Sequence, residues 1–271
     1  MYAGFVTHKH TIKKLGVHQR LDAAAYRMVR GYFSAETFPP IKQILHFEGA
    51  NGPDDLKFKL PRLDGPNHFY NPETGEGDLP ASVKLHYETL VIALAAHDEV
   101  KAAFEASWLA HFVVDGLTPA HHHLPEDEYA AVGGEAPVHA KIKGLASGPG
   151  ALKKNWKIWV DQRIVTTHQT FEIGIAAAML GRPVKIKLDP IKLARAQKIG
   201  YMKFFKEEAT ESARLDLYSQ FRAKGWSSRM AAQVRHQIAP AAVQTVGIIW
   251  ILAYLEAELK SAKQLAQVTA A

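Results

Sequence analysis

The sequence contains no cysteine among its 271 residues. That excludes a disulfide framework, thiolate metal ligands and a thiol nucleophile, and it fits a reducing compartment. A chain of this length buries a sizeable core and needs no covalent staples. Strand signals are nearly missing: "RPVKIKLD" is the only alternating piece, and it is short. No block of like charge is long enough for a nucleic-acid tail, although the net charge of +6 suits an anionic partner such as phosphate, nucleic acid or an acidic membrane face. The start, "MYAGFVTHKHTIKKLG", has no apolar core followed by a small-residue cleavage site, so no signal peptide is read and a cytoplasmic location is expected. The most apolar run, "AAVQTVGIIWILAYL" from Ala241 to Leu255, carries Gln244 and Thr245 and is short for a membrane span. It predicts a buried core helix. A G-x-S-x-G elbow is also missing.

What is present is helical periodicity. "HQRLDAAAYRMVRGYF", "SVKLHYETLVIALAAHDEVKAAFEASWLAHFVV", "WVDQRIVTTHQTFEIGIAAAML", "PIKLARAQKIGYMKFFKEEATESARLDLYSQF" and the run from Ser228 repeat apolar residues at spacings of three and four. Two Gly/Pro-rich stretches interrupt them, at about Phe47–Pro80 and about Leu124–Lys154. Loops of that length are uncommon in compact domains unless they carry function. With no internal repeat and no composition shift, the expected architecture is all-α: one domain over 1–271 with two long functional loops.

The chemistry concentrates in histidine, of which there are 14. In "SWLAHFVVDGLTPAHHH", His111 and Asp115 lie four apart and therefore share a helix face. The flanking residues are apolar, and a buried carboxylate needs a cation or several donors. "TTHQTFEIG" repeats the spacing with His168 and Glu172. Either pair alone is compatible with a hydrogen bond inside a core. Two such pairs, with His121, His122, His123 and an isolated His68 in a Gly/Pro/Asn loop, point to a metal site. A His/Asp/Glu donor set without sulfur favours zinc or a similar borderline ion.

Two segments carry a resemblance. "FEGANGPDDLKFKLPRLDGPNHFYNPETGEGDLP" followed by "WLAHFVVDGLTPAHH" resembles the bacterial zinc-dependent phospholipase C family, which shares an all-α superfamily with single-strand-specific nucleases. "HFYNPETG" is similar to that family's "HFYDPDTG" loop. The family's H-x-x-x-D-x-x-x-x-x-H pattern falls here on His111, Asp115 and His121 with both spacings kept. The similarity is good from about Asp54 to His121, extends more weakly to the C-terminal helix and is loose elsewhere.

The resemblance implies up to three zinc ions. Asp54, His68 and His111 would hold the first, with Asp55 an alternative to Asp54 and Asp115 bridging to the second. His121, His168 and Glu172 would hold the third, with His139 an alternative to His168 across the Gly-rich stretch. The family's second ion uses a terminal residue, often Trp, and a nearby His. Here His18 is the candidate, with His8 and His10 alternatives. Asp54 would also orient or deprotonate the attacking water. His122 and His123 line the cleft or are solvated, and Phe69 and Tyr70 form a cleft wall or anchor the loop. The implied activity is metal-dependent phosphodiester hydrolysis on a phospholipid headgroup, with a membrane surface as partner and without a stable nucleic-acid complex. A single-strand-specific nuclease and a non-catalytic metal-binding or membrane-surface module are the alternatives. The family is usually exported, in tension with the missing signal.

Overall fold

The computed structural model describes residues 16–33, 37–48, 52–53, 68–123, 162–181 and 183–270. Among these the fold is all-α and no strand forms. Helix α1 spans Val17–Val29, α2 Ile41–Glu48, α3 Leu79–Ala95 and α4 Glu99–Gly116. A 3-10 turn, Pro119–His122, follows α4, and α5 then spans Gln162–Met179. Next come α6 (Pro190–Ile199), α7 (Tyr201–Ala213), α8 (Leu217–Lys224) and α9 (Ser228–Gln233). A π turn, Val234–Ile238, leads into the long α10, Ala239–Ala270.

Local chemistry sets the breaks in the long periodic runs. The stretch from Ser82 to Val114 is two helices: His97 takes a left-handed conformation (φ 54°), and the Asp98 side chain caps α4 by accepting the Lys101 N–H at 3.0 Å. Such a carboxylate satisfies an otherwise orphaned donor and faces the positive end of the helix dipole. Gly200 (φ 82°) separates α6 from α7, where a side chain would be strained. At the start of α6, Asp189 accepts the N–H groups of Ile191 and Lys192.

The apolar faces meet in one core cluster. Leu21, Ile44, Leu79, Leu90, Leu109, Phe171, Phe204 and Trp250 are fully buried. Side chains of this size contribute about 1.5–3 kcal/mol each on burial. Helices α1, α3 and α4 pack around α10, and Trp250 Nε1 donates to the Ala106 carbonyl at 3.1 Å, locking α10 to α4. The expected core helix is therefore seen. Ser228–Gln267 is long and apolar enough to cross a membrane, yet 67% of its most apolar window is buried in the bundle. The two polar residues of its 241–255 run, Gln244 and Thr245, have uses there. Gln244 accepts the Asp189 N–H at 3.2 Å and donates to the Lys187 carbonyl at 2.7 Å, and Thr245 bonds the Ala241 carbonyl at 2.9 Å. Gln244 thus ties down residues 183–189. That alternating segment runs beside the bundle with Lys185 and Lys187 exposed, but it forms no strand because no second strand lies there to pair with it among the described residues.

Glycine is required at the functional end of α4. A Cβ on Gly116 would come within 2.4 Å of the Phe205 ring. The close approach brings α7 against the last turn of α4, directly after Asp115.

Candidate metal centre

Helix α4 is buried on nearly every side at its C-terminal half, so its polar residues must be satisfied inside the protein. His111 and Asp115 both have zero exposure, and His111 Nε2 stands 3.2 Å from Asp115 Oδ2 across one helical turn. Three further imidazoles reach the same carboxylate from separate elements. His18, near the start of α1, places Nε2 3.3 Å from Oδ1. His121, in the 3-10 turn, places Nε2 3.2 Å from Oδ1. His68, ahead of α3, bonds Oδ2 through Nδ1 at 2.7 Å. Tyr70 N–H donates to the His121 carbonyl at 3.0 Å, which holds these last two segments side by side.

A second carboxylate adjoins the first through His121. On α5, Glu172 Oε1 lies 3.1 Å from His168 Nε2 and 3.5 Å from His121 Nε2. His18, His68, His111, Asp115, His121, His168 and Glu172 thus converge in one cluster. Asp54, Asp55, His8, His10 and His139 lie outside the described residues.

Two residues the sequence reading overlooked complete the inner wall. Glu48, the last residue of α2, accepts from His111 Nδ1 at 2.9 Å and lies 3.6 Å from His18 Nδ1. Asp22 is fully buried on α1, and neither of its oxygens has a hydrogen-bond partner. Asp22 had a signal: it follows His18 by four residues, the same spacing as the other two pairs. Glu48 had none, since "ILHFE" reads as an ordinary amphipathic end.

The donor set fits a divalent cation. Three groups bring ligand atoms within 4.8 Å of one another: His68, His111 and Asp115; His121, His168 and Glu172; and His18, Glu48 and His111. Imidazole and carboxylate ligands about 2.0–2.2 Å from a tetrahedral zinc ion sit about 3.3–3.6 Å apart, close to the 3.2–3.3 Å that separates Asp115 from His18, His111 and His121, whereas His68 at 2.7 Å stands at hydrogen-bond distance. Both nitrogens of His18 are buried without a hydrogen bond. An unsatisfied buried polar group costs about 1–3 kcal/mol, and a cation on Nε2 would remove half of that debt.

Protonation also suits a cation. Burial pushes the Asp115 carboxyl up, but the neighbouring His121 and His111 imidazoles outweigh it and hold the group well below the usual carboxylate range. Glu172 is likewise held low against burial, with its bonds to His121 and His168 contributing. Burial drops His121 to about 4, with Asp115 opposing. Ionised carboxylates beside neutral imidazoles are the forms that bind metal.

The remaining candidates have other roles. His122 points away, its Nε2 2.9 Å from the Gly116 carbonyl, and burial drops it to about 4. The His123 ring lies against Tyr218 with centroids 5.3 Å apart. Tyr70 is buried against Phe205 and so anchors its loop. His86 forms a separate buried pair with Glu105 at 2.6 Å, its ring stacked on Phe112.

No family model and no curated protein matches the sequence. Solved structures do match in fold. An alpha-toxin of Clostridium perfringens from an avian strain superposes with a TM-score of 0.52 at 14% identity, covering 89% of this chain and 63% of that one. The alpha toxin of Clostridium absonum superposes with a TM-score of 0.53 at 13% identity, covering 91% and 65%. The chain therefore spans less than two thirds of either toxin. At this identity the similarity concerns the fold alone, and it agrees with the phospholipase C-like fold that the sequence resemblance led us to expect.

Proposed function

We propose that the chain is a metal-dependent phosphodiester hydrolase of phospholipase C type, holding up to three zinc ions and acting on a phospholipid headgroup bond. The observation that carries this reading is the convergence of four imidazoles on one buried carboxylate, Asp115, beside the His121–His168–Glu172 arm. A core that merely needed its histidines satisfied has no use for four on one acid.

In this reading His68, His111 and Asp115, with Asp54, would hold one ion; His18 and Asp115 would hold a second; and His121, His168 and Glu172 would hold the third. Divalent ions at such positions act as Lewis acids, polarising a phosphoryl oxygen and making bound water more acidic. Asp54 orients the attacking water or takes its proton. The low-lying Asp115 and Glu172 carboxylates and the depressed His121 imidazole are available as ligands near neutral pH. Exposure rises from zero at His18, His111 and Asp115 to 8% at His121, 12% at His68, 13% at Glu172 and 30% at His168, counting side chains. Substrate therefore approaches across the His68–His168 edge.

The test is a direct comparison on one preparation of known metal content. Headgroup release from mixed micelles, abolished by chelator and restored by zinc, is the expected result. Release of acid-soluble nucleotides without lipid turnover would establish the nuclease instead. Silence on both substrates with ions fully loaded would establish a non-catalytic metal-binding module.

A further inference from the structure

The two innermost imidazoles, His18 and His111, are stacked with ring centroids 4.1 Å apart and planes 11° from parallel. Their Nε2 atoms face Asp115, at 3.3 and 3.2 Å from its two oxygens. Their Nδ1 atoms face the opposite way, onto a single oxygen, Glu48 Oε1, at 3.6 and 2.9 Å. The other Glu48 oxygen accepts from Ser107 Oγ at 3.4 Å, one turn before His111 on α4. All five side chains have zero exposure.

Glu48 stands where a helix tolerates a carboxylate least. It is the last residue of α2, at the negative end of that helix dipole, and it is cut off from water. Donors on its oxygens offset that cost. An acid that takes a proton donor from Nδ1 fixes the ring's tautomer and leaves the Nε2 lone pair to face a cation.

We propose that Glu48 is a positioning residue for a metal-binding imidazole, holding His111 by Nδ1 so that its Nε2 is presented to the Asp115 side, with the His18 ring stacked against it. The inference rests on the metal-centre reading above and takes Glu48 as a support for the ring rather than as a ligand beside His18 and His111. Asp22 supplies an internal contrast. It is equally buried and shares a face of α1 with His18, yet its oxygens bond nothing, so it orients no ring.

The experiment uses the full chain in two variants, Glu48→Leu and Glu48→Gln. The first readout is the tautomer of each imidazole in the metal-free protein, from long-range nitrogen–proton NMR correlations. The second is zinc affinity by competition with a chelating dye. The wild type should carry Nδ1–H on His111. Glu48→Leu should shift His111 toward Nε2–H and weaken zinc about 10–100-fold, the usual loss when a ligand's supporting carboxylate is removed. Glu48→Gln keeps an acceptor oxygen in the same shape, so it should fold as the wild type does, retain the tautomers and lose less affinity. The proposal is overturned if Glu48→Leu keeps wild-type tautomers and affinity, or if Glu48→Gln loses as much affinity as Glu48→Leu. A wild type that binds no zinc would sink the metal reading, while the metal-free tautomers would still decide the role of Glu48.

Discussion

The inner and outer halves of the cluster are built differently. His18, Glu48, His111 and Asp115 come from α1, α2 and α4, helices whose packing against one another and α10 makes the core, and all four are fully buried. His121, His168 and Glu172 come from a 3-10 turn and from α5, and their side chains are 8%, 30% and 13% exposed. The inner donors are fixed by the same contacts that fold the chain. The outer donors pack less deeply, so more of their order has to come from what they bind. A cluster arranged this way has a rigid floor and a more adjustable rim, with the rim nearer to solvent.

Asp115→Asn is the largest break expected. Asp115 is the point at which the two halves touch, through His18 and His111 on one side and His121 on the other. The amide is nearly isosteric but loses the charge shared by four imidazoles. Elemental analysis should show loss of ions from both halves. Turnover should fall by more than the roughly 10–100-fold typical of residues that only support a ligand, while the metal-free melting temperature stays close to that of the wild type. Full metal content and turnover in this variant would end the shared-carboxylate reading.

His168→Ala should have the next largest effect, confined to the rim. His168 contacts Glu172 and lies near His121 but is bonded to none of the inner donors. The variant should lose one ion and leave the others in place, and His139→Ala should lose none. If His168→Ala also empties the inner half, the two halves are one cooperative unit and the contrast drawn above fails. Stepwise removal with a chelator of moderate strength probes the same difference in the wild type. One ion equivalent should leave first, because the rim is the more solvated part, and a single concerted loss would count against a separate rim.

Much of this was legible in the sequence, for physical reasons. A spacing of four on an apolar helix fixes two side chains to one face whatever the rest of the fold does, so the His111–Asp115 and His168–Glu172 pairs were visible as local geometry. The core helix around Trp250 was visible from composition, with Gln244 as its polar exception. Glu48 was not visible, because its contact with His111 spans 63 residues of chain and no local pattern encodes it. Asp22 carried the telling spacing but sat in an alanine-rich helix where a single acid reads as solvent-facing. The break at His97 was hidden because both sides of it continue the same apolar period, and only the backbone shows the left-handed residue.

Tyr87→Phe is the smallest effect and separates loss of fold from loss of metal. Tyr87 lies on α3, outside the cluster. Its hydroxyl donates to Glu256 on α10 at 3.0 Å, and its ring stacks on Tyr201 with centroids 3.6 Å apart. Burial first, and then the Glu256 charge, raise the Tyr87 phenol well above its usual value, and burial raises Tyr201 to about 12. The sign follows from which state keeps its proton. Above pH 10 the unfolded chain has released the tyrosine proton and the folded chain has not, so stability falls as pH rises through 10 and beyond. Removing the Tyr87 hydroxyl deletes that group's share of the alkaline loss. It also deletes one hydrogen bond to a carboxylate, costing on the order of 1 kcal/mol near neutrality. Denaturant unfolding from pH 7 to 11 should show a slightly less stable variant at neutral pH whose stability declines less steeply above pH 10. Its metal content at neutral pH should equal that of the wild type. A loss of ions in Tyr87→Phe would mean that small changes in bundle stability reach the cluster, and the metal losses predicted for Asp115→Asn and His168→Ala could then no longer be assigned to their ligands alone.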